Sequence, residues 1–281
     1  MNLERSPFAD AFAALAASDP SWRHAIGRPS GDGWIAGDAM REAREGPLHD
    51  LLQRIGRGLD TADRRTIAAS FALRYGWASG AAIVPYLRAR CVPDVALDNV
   101  SFRFGASGFF DRLALHEPRG SVAAGDPRGT HASMTTVADE RALIHALRET
   151  LVAQSAPVVE ALFAWAGFAR RGTWGMLTSA WVSHVTTASP TPDDHRPLLP
   201  RIDQLFAGSD IVTVTRPRLH AVRVGAVTHL FQRRASCCRY YLLPQGSLCA
   251  SCPLVGDAER LRRNVEWMES QASRLGAGGH A

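Results

Sequence analysis

Four of the five cysteines in this 281-residue chain lie close together near its C-terminal end. They are Cys237, Cys238, Cys249 and Cys252, in the spacing C-C-x10-C-x2-C. Thiolates are preferred ligands of zinc and of iron–sulfur clusters, and a C-x2-C turn allows two of them to converge on one metal. The spacer contains Pro244-Gln245-Gly246, which predicts a turn that brings the two cysteine pairs together. The cysteine types and spacing therefore predict a metal or redox centre.

The adjacency of Cys237 and Cys238 restricts what this centre could be. Neighbouring side chains of an extended strand point in opposite directions, so either the backbone bends here or the two residues bind different irons. Structural zinc sites use spacers of two to four residues, and this spacing therefore favours a [2Fe–2S] cluster. A structural zinc site and redox-sensing thiols stay open as alternatives. The distant Cys91 is expected to be a small buried apolar residue.

Two arginines, Arg233 and Arg234, precede the first cysteine pair. A [2Fe–2S] cluster on four thiolates carries a negative charge of about −2 when oxidised. Neighbouring guanidinium groups are therefore expected to favour the reduced cluster and to raise its reduction potential.

The composition excludes several classes of protein. A hydrophobic fraction of 46% excludes a disordered chain, and five cysteines are too few for a miniprotein held by disulfides. The formal charge is +5, but no basic run exceeds two residues, so nucleic-acid binding is not expected. The sequence shows no apolar stretch of membrane-spanning length and no secretory signal, so we expect a cytoplasmic protein without a membrane span. Thiols stay reduced in that compartment, which favours metal ligation.

Hydrophobic periodicity predicts an α+β fold that is mostly α-helical. We expect helices over 137–154, 157–171 and 173–187, and a last helix over 257–275. Alternating apolar residues predict a strand through Val100, Phe102 and Phe104, and further strands across 211–232. The expected architecture is a helical body with a small strand-rich element and a C-terminal cysteine module.

Several aromatic and histidine residues could face a ligand, but we expect most of them to be structural. One helical face carries Trp174, Leu177, Trp181 and His184 at i+3 and i+4 steps, and a core position is the favoured interpretation over an aromatic wall. His220 and His229 precede the cysteines, and structural roles are again expected. The other tryptophans are interpreted as packing residues: Trp22, Trp34, Trp77, Trp165 and Trp267.

The cysteine segment carries a family resemblance. The run from Arg233 to Tyr241, the run from Pro244 to Cys249 and Cys252-Pro253-Leu254 together resemble the C-terminal signature of the FhuF-like ferric siderophore reductase family. Upstream, Trp174-Gly175-Met176 resembles the W-G-N element of that family, with Met176 in place of the usual asparagine.

The resemblance implies that the four cysteines are the ligands of a [2Fe–2S] cluster. It implies an oxidoreductase that reduces the Fe(III) of an imported siderophore, with a hydroxamate siderophore as one candidate, and releases Fe(II) in the cytoplasm. Siderophores present hard oxygen donors, which hold Fe(III) more tightly than Fe(II), so one electron is enough to loosen the ion. The Gly31-Asp32-Gly33 segment does not fit a nucleotide-binding loop, so the electron donor is expected to be another protein or a diffusible reductant.

The expected division of the chain follows from this assignment. Residues 1–205 would form a helix-rich, siderophore-facing domain, and residues 206–281 would hold the strands, the [2Fe–2S] motif and the last helix, with both packed as one unit as an alternative. Two other functions stay open. One is a non-catalytic protein with a structural zinc site on the four cysteines, and the other is an iron–sulfur protein that assists siderophore metabolism without reducing ferric complexes.

Overall fold

The structure, a computed structural model, describes residues 6–19, 22–187 and 198–277. Its helices are α1 Pro7–Ser18, α2 Gly46–Gly58, α3 Arg64–Ser79, α4 Ile83–Ala89, α5 Glu140–Ala166, α6 Arg170–Thr187, α7 Leu199–Leu205, α8 Ile211–Val214 and α9 Asp257–Ala277. Its strands are β1 Ala25–Ile26, β2 Trp34–Ala36, β3 Cys91–Pro93, β4 Val100–Phe104, β5 Phe110–Leu115, β6 Gly120–Ala123, β7 Met134–Val137, β8 Arg218–Val224 and β9 Val227–Arg233. This confirms a mostly helical α+β fold.

The strands form three small sheets. One has the order β1-β5-β4-β2, the second has the order β3-β6-β7, and the third is the antiparallel hairpin β8-β9. The hairpin is closed by Gly225, which adopts a positive φ of 59° in the turn. Strand β9 ends at Arg233, so the cysteine segment follows directly after the hairpin.

Helices α3 and α6 lie side by side in the body and share its core. Trp181 of α6 is fully buried and donates its indole N–H to the Ser79 Oγ of α3 at 2.9 Å. His184 is also buried, and its Nε2 lies 2.8 Å from the Trp77 carbonyl oxygen. Trp174 and Leu177 are buried on the same helix, which confirms the core interpretation of this face.

Two sequence-based predictions about the elements are wrong. Residues 140–166 form one helix through Pro157, where a break into two helices was expected. A proline removes one helical hydrogen bond, and burial of Leu151 and Val158 on either side supports the helix across it. Residues 211–214 were expected to be strand and are helical, because the Asp210 carboxylate caps the backbone N–H groups of Val212 and Thr213.

The isolated cysteine is buried, as expected. Cys91 is fully buried, and burial raises the pKa of its thiol to about 11. None of the described helices combines the length and the apolar character that crossing a bilayer requires.

Candidate metal centre

The cysteine segment is anchored to the helical body on both sides of its first cysteine pair. Before the pair, Ser236 donates its hydroxyl to the Gly172 carbonyl oxygen of α6 at 2.7 Å. The approach is close enough that a Cβ at Gly175 would lie 2.9 Å from the Ser236 Oγ. After the pair, the Arg239 guanidinium donates to Thr66 Oγ1 at 3.2 Å and to the Asp63 carboxylate at 3.1 Å, both on or beside α3.

The backbone bends sharply after the two adjacent cysteines. Arg239 adopts a left-handed conformation with φ of 62°, which is uncommon for a residue with a Cβ, and its N–H donates to the Cys237 Sγ at 3.4 Å. A short 3-10 turn, Tyr240–Leu242, follows. Gly246 packs so tightly against this turn that a Cβ would lie 1.9 Å from the Tyr240 carbonyl oxygen. The spacer therefore folds back and carries the chain towards the second cysteine pair.

The C-x2-C turn is held by the last helix. The Cys252 N–H donates to the Cys249 carbonyl oxygen at 3.0 Å and closes the turn. The Arg260 side chain of α9 is only 2% exposed and donates to the carbonyl oxygens of Ala250 at 2.6 Å and Cys252 at 3.0 Å. A second arginine of the same helix, Arg263, donates to the Leu248 carbonyl oxygen at 2.5 Å. These contacts fix the turn by its backbone.

The turns bring the sulfur atoms of the two pairs together. The Sγ atoms of Cys237 and Cys252 lie 3.6 Å apart. One terminal nitrogen of Arg234 contacts both remaining sulfurs, Cys249 Sγ at 2.5 Å and Cys238 Sγ at 3.6 Å. Within the described ranges, no three His, Cys, Asp or Glu side chains are arranged around one point as a single metal ion requires. Cys252 is buried and Cys249 is exposed, so the centre reaches the surface at Cys249.

Arg234 dominates the electrostatics of this centre. Its side chain is 5% exposed, and its Nε is buried without a hydrogen-bond partner among the described residues. A buried cation is costly unless anions surround it, and the cysteine sulfurs are in contact with it. A hydrogen bond from the Cys237 thiol and the charge of Arg234 lower the pKa of Cys238 to about 5. The same hydrogen bond and burial raise the pKa of Cys237, so the thiolate, which is the form that binds metal, is favoured at Cys238 of this pair.

A second cation, Arg74 of α3, also acts on Cys238. It is 7% exposed, and its guanidinium lies 4.3 Å from the centre of the Phe109 ring. Burial lowers the pKa of Arg74, and its interaction with Cys238 acts in the opposite direction. Arg74 is therefore a second buried cation whose charge acts on Cys238, in addition to Arg234.

The structure places the residues that the sequence singled out in different surroundings. Of the two predicted arginines, Arg234 contacts the sulfurs, whereas Arg233 donates to the Pro253 carbonyl oxygen at 2.8 Å. His220 contacts the Asn264 amide at 2.9 Å, in line with a structural role. Trp267 packs edge-on against Phe231 but keeps 46% of its surface exposed.

Sequence reasoning missed the supporting arginines Arg74, Arg239 and Arg260. Their positions depend on contacts between residues that are far apart in the chain. One signal was available for Arg260, because it lies on the first turn of the predicted last helix, close after Cys252.

The fold and site together define a four-cysteine centre that is built at the end of a hairpin and surrounded by buried arginines. Residues 234–254, which contain all four cysteines, match the family described as the FhuF 2Fe-2S C-terminal domain. The match confirms the resemblance that the cysteine spacing indicated, and it points to an iron–sulfur protein similar to siderophore-iron reductases. No curated protein matches the chain.

Proposed function

We propose that this protein is a cytoplasmic ferric siderophore reductase that holds a [2Fe–2S] cluster on Cys237, Cys238, Cys249 and Cys252. The observation that carries the proposal is the contact of the buried Arg234 guanidinium with the sulfurs of Cys238 and Cys249, together with the 3.6 Å approach of the Cys237 and Cys252 sulfurs. The family match over 234–254 supports it.

The donor set fits such a cluster. Two thiolates on one tetrahedral metal, with bonds of about 2.3 Å, lie about 3.8 Å apart. The 3.6 Å separation of the Cys237 and Cys252 sulfurs suits two ligands of one iron. Cys238 and Cys249 would complete the four-thiolate set that holds the cluster. The positive charges of Arg234 and Arg74 match the negative charge that this cofactor carries.

The residues of this chain have three tasks in the proposed reaction. Arg260 and Arg239 hold the two ligand turns, so the sulfurs keep their relative positions when the charge changes by one electron. Arg234 donates to sulfur, which stabilises the added electron. Cys249 is exposed and offers the path to a docked substrate. When bound, the [2Fe–2S] cluster supplies one-electron transfer.

The substrate in this proposal is a ferric siderophore, with the hydroxamate type as one candidate. The electron balance is one electron from an external protein or diffusible donor for each Fe(III) reduced to Fe(II). The hard oxygen donors of the siderophore hold Fe(II) weakly, so reduction releases the ion without any acid or base from the protein.

A stopped-flow experiment under anaerobic conditions tests this function. Dithionite-reduced protein, freed of excess dithionite, is mixed with ferrichrome and a ferrous chelator. We expect the visible absorption of the oxidised cluster to return while one ferrous chelate forms per reduced cluster. A reduced cluster that is stable against excess ferrichrome and other ferric siderophores would overturn the proposal, as would colourless protein that contains zinc.

A further inference from the structure

A cavity of about 360 Å³ opens beside the C-x2-C turn, between α6, β9 and α9. Ala250 and Ser251, which separate the two cysteines of the turn, form part of its wall. The Ser251 Oγ lies 3.6 Å from the Cys249 Sγ, and the Ser251 carbonyl oxygen accepts a hydrogen bond from the backbone N–H of Arg234 at 2.9 Å. A molecule bound in this cavity would therefore contact Ser251, which lies between the cavity and the exposed residue Cys249.

One wall of the cavity is aromatic. The His229 ring lies 4.6 Å from Phe231 and 5.2 Å from Trp267, and Phe231 meets Trp267 edge-on at 5.6 Å. All three rings line the cavity. Trp267 keeps 46% of its surface exposed although its neighbours are rings, so it presents an apolar face to an incoming molecule.

The rest of the lining mixes apolar residues with polar groups and carries little net charge. Gln232, Ser183 and Thr186 contribute amide and hydroxyl groups. Arg263 also lines the cavity and donates to the Glu259 carboxylate at 2.6 Å. Glu259 also accepts from Arg262, which in turn donates to Glu266, so two carboxylates balance the two arginines. Rings and neutral hydrogen-bonding groups suit an uncharged ligand better than a strongly anionic one.

We propose that this cavity binds the substrate by seating one arm of an uncharged ferric tris-hydroxamate siderophore against His229, Phe231 and Trp267; this inference rests on the proposed function. Three hydroxamates balance the charge of Fe(III), so the complex is uncharged. A tris-catecholate complex is strongly anionic, and the described residues of this lining offer it no uncompensated cation. Ligand cavities measure about 300–1,000 Å³, so this one suits one arm of the complex and leaves the iron near Cys249.

The binding test uses the gallium(III) complex of desferriferrichrome, which is uncharged and cannot accept an electron from the cluster. Its dissociation constant is measured by calorimetry with the oxidised holoprotein. We expect Trp267→Ala, which removes the exposed ring, and Thr186→Trp, which fills the cavity from α6, each to weaken binding by about tenfold or more. The matched control is Leu261→Ala, because Leu261 is 50% exposed on the same helix and outside the cavity lining. Equal dissociation constants for all four proteins, or no binding by the wild type, would overturn the inference.

A second measurement distinguishes this inference from the proposed function. The reduced proteins are mixed with ferrichrome, and the concentration that gives half-maximal cluster reoxidation is determined. If the wild type reoxidises and both cavity variants match it in this concentration, the cavity assignment is wrong and the reductase function stands. If the gallium complex binds in the cavity but ferrichrome leaves the reduced cluster unchanged, the reductase function is wrong and the binding site stands.

Discussion

The buried guanidinium of Arg234 contacts the sulfur of the exposed residue Cys249 at 2.5 Å and, through the same nitrogen, the sulfur of Cys238. The neighbouring Arg233 turns away to Pro253 and the Asp257 carboxylate. Two adjacent arginines of equal charge therefore have different environments, which offers an internal control for the role of the buried one.

Substitution of Arg234 should lower the reduction potential of the cluster. Arg234→Gln removes a cation that donates to sulfur, and we expect a decrease on the order of 60 mV, since about 1.4 kcal/mol corresponds to 59 mV for one electron. Arg233→Gln should change the potential much less. Redox titration followed by electron paramagnetic resonance measures both values. Equal shifts in the two variants would contradict the assignment.

Arg234→Lys is a second variant that tests the same role if the glutamine variant loses the cluster. Lysine keeps the charge but not the planar donor group. We expect an intermediate potential and a retained cluster. A potential for Arg234→Lys below that of Arg234→Gln would show that the charge of Arg234 does not act on the cluster in the way the geometry indicates.

The ligand assignment predicts opposite results for two cysteine variants. Cys249→Ser should lose or strongly destabilise the cluster, because an alcohol oxygen is a poor replacement for a thiolate ligand. Cys91→Ala should keep the visible spectrum, since Cys91 is buried away in β3. Iron and sulfide analysis of purified proteins checks both. A changed spectrum in Cys91→Ala would show that the ligand set is incomplete.

The close approach of α6 to the cysteine segment predicts an effect at Gly175. A Cβ there would lie 2.9 Å from the Ser236 Oγ, so Gly175→Ala should push the segment away and weaken the centre by about 1–3 kcal/mol. We expect faster loss of iron to a chelator. Gly58→Ala in α2 is the matched control, because nothing lies within 4 Å of its added Cβ. Equal rates of iron loss in the two variants would contradict this packing.

The buried His184 and the half-buried His24 predict acid sensitivity of the fold. Burial and the nearby His184 lower the pKa of His24 to about 3, and burial lowers the pKa of His184 to about 4. Both values lie below the unfolded value of about 6.5, so the unfolded chain binds more protons as the pH falls through 6.5. The stability of the neutral forms is therefore complete above about pH 7 and is lost below it, by up to about 1.4 kcal/mol per pH unit for each histidine.

Urea unfolding at pH 7.5 and pH 5.5 measures this effect. His184→Gln keeps an amide donor for the Trp77 carbonyl oxygen and removes the titrating group, so the free energy of unfolding should fall less between the two pH values. His145→Gln, at an exposed position on α5, is the control and should follow the wild type. Parallel pH dependence in His184→Gln and the wild type would contradict the role of His184.

Much of the fold could be predicted because local signals agreed with the tertiary structure. The apolar periodicity predicted α9, and the alternation through Val100, Phe102 and Phe104 predicted β4. The errors came from signals that tertiary contacts or caps override: Pro157 lies inside α5, and the Asp210 cap turned a β-branched run into α8. The division of the chain at residue 205 stays a prediction.

The candidate site could be predicted only at the level of its cysteines. Their spacing indicated the centre and its family, and the turn in the spacer indicated that the pairs would meet. At the bend, Arg239 adopts the left-handed backbone conformation although it has a Cβ, and no sequence pattern predicts this. The cation from Arg74 and the cavity beside Ser251 arise from elements that are distant in sequence and were not foreseen.

Anaerobic purification, followed by iron and sulfide analysis and electron paramagnetic resonance of the dithionite-reduced protein, tests the central claim most directly. We predict about two irons and two sulfides per chain and the signal of a one-electron-reduced [2Fe–2S] cluster, both lost in Cys249→Ser. Zinc without sulfide, or a reduced protein with no resonance and no bound iron, would contradict the account.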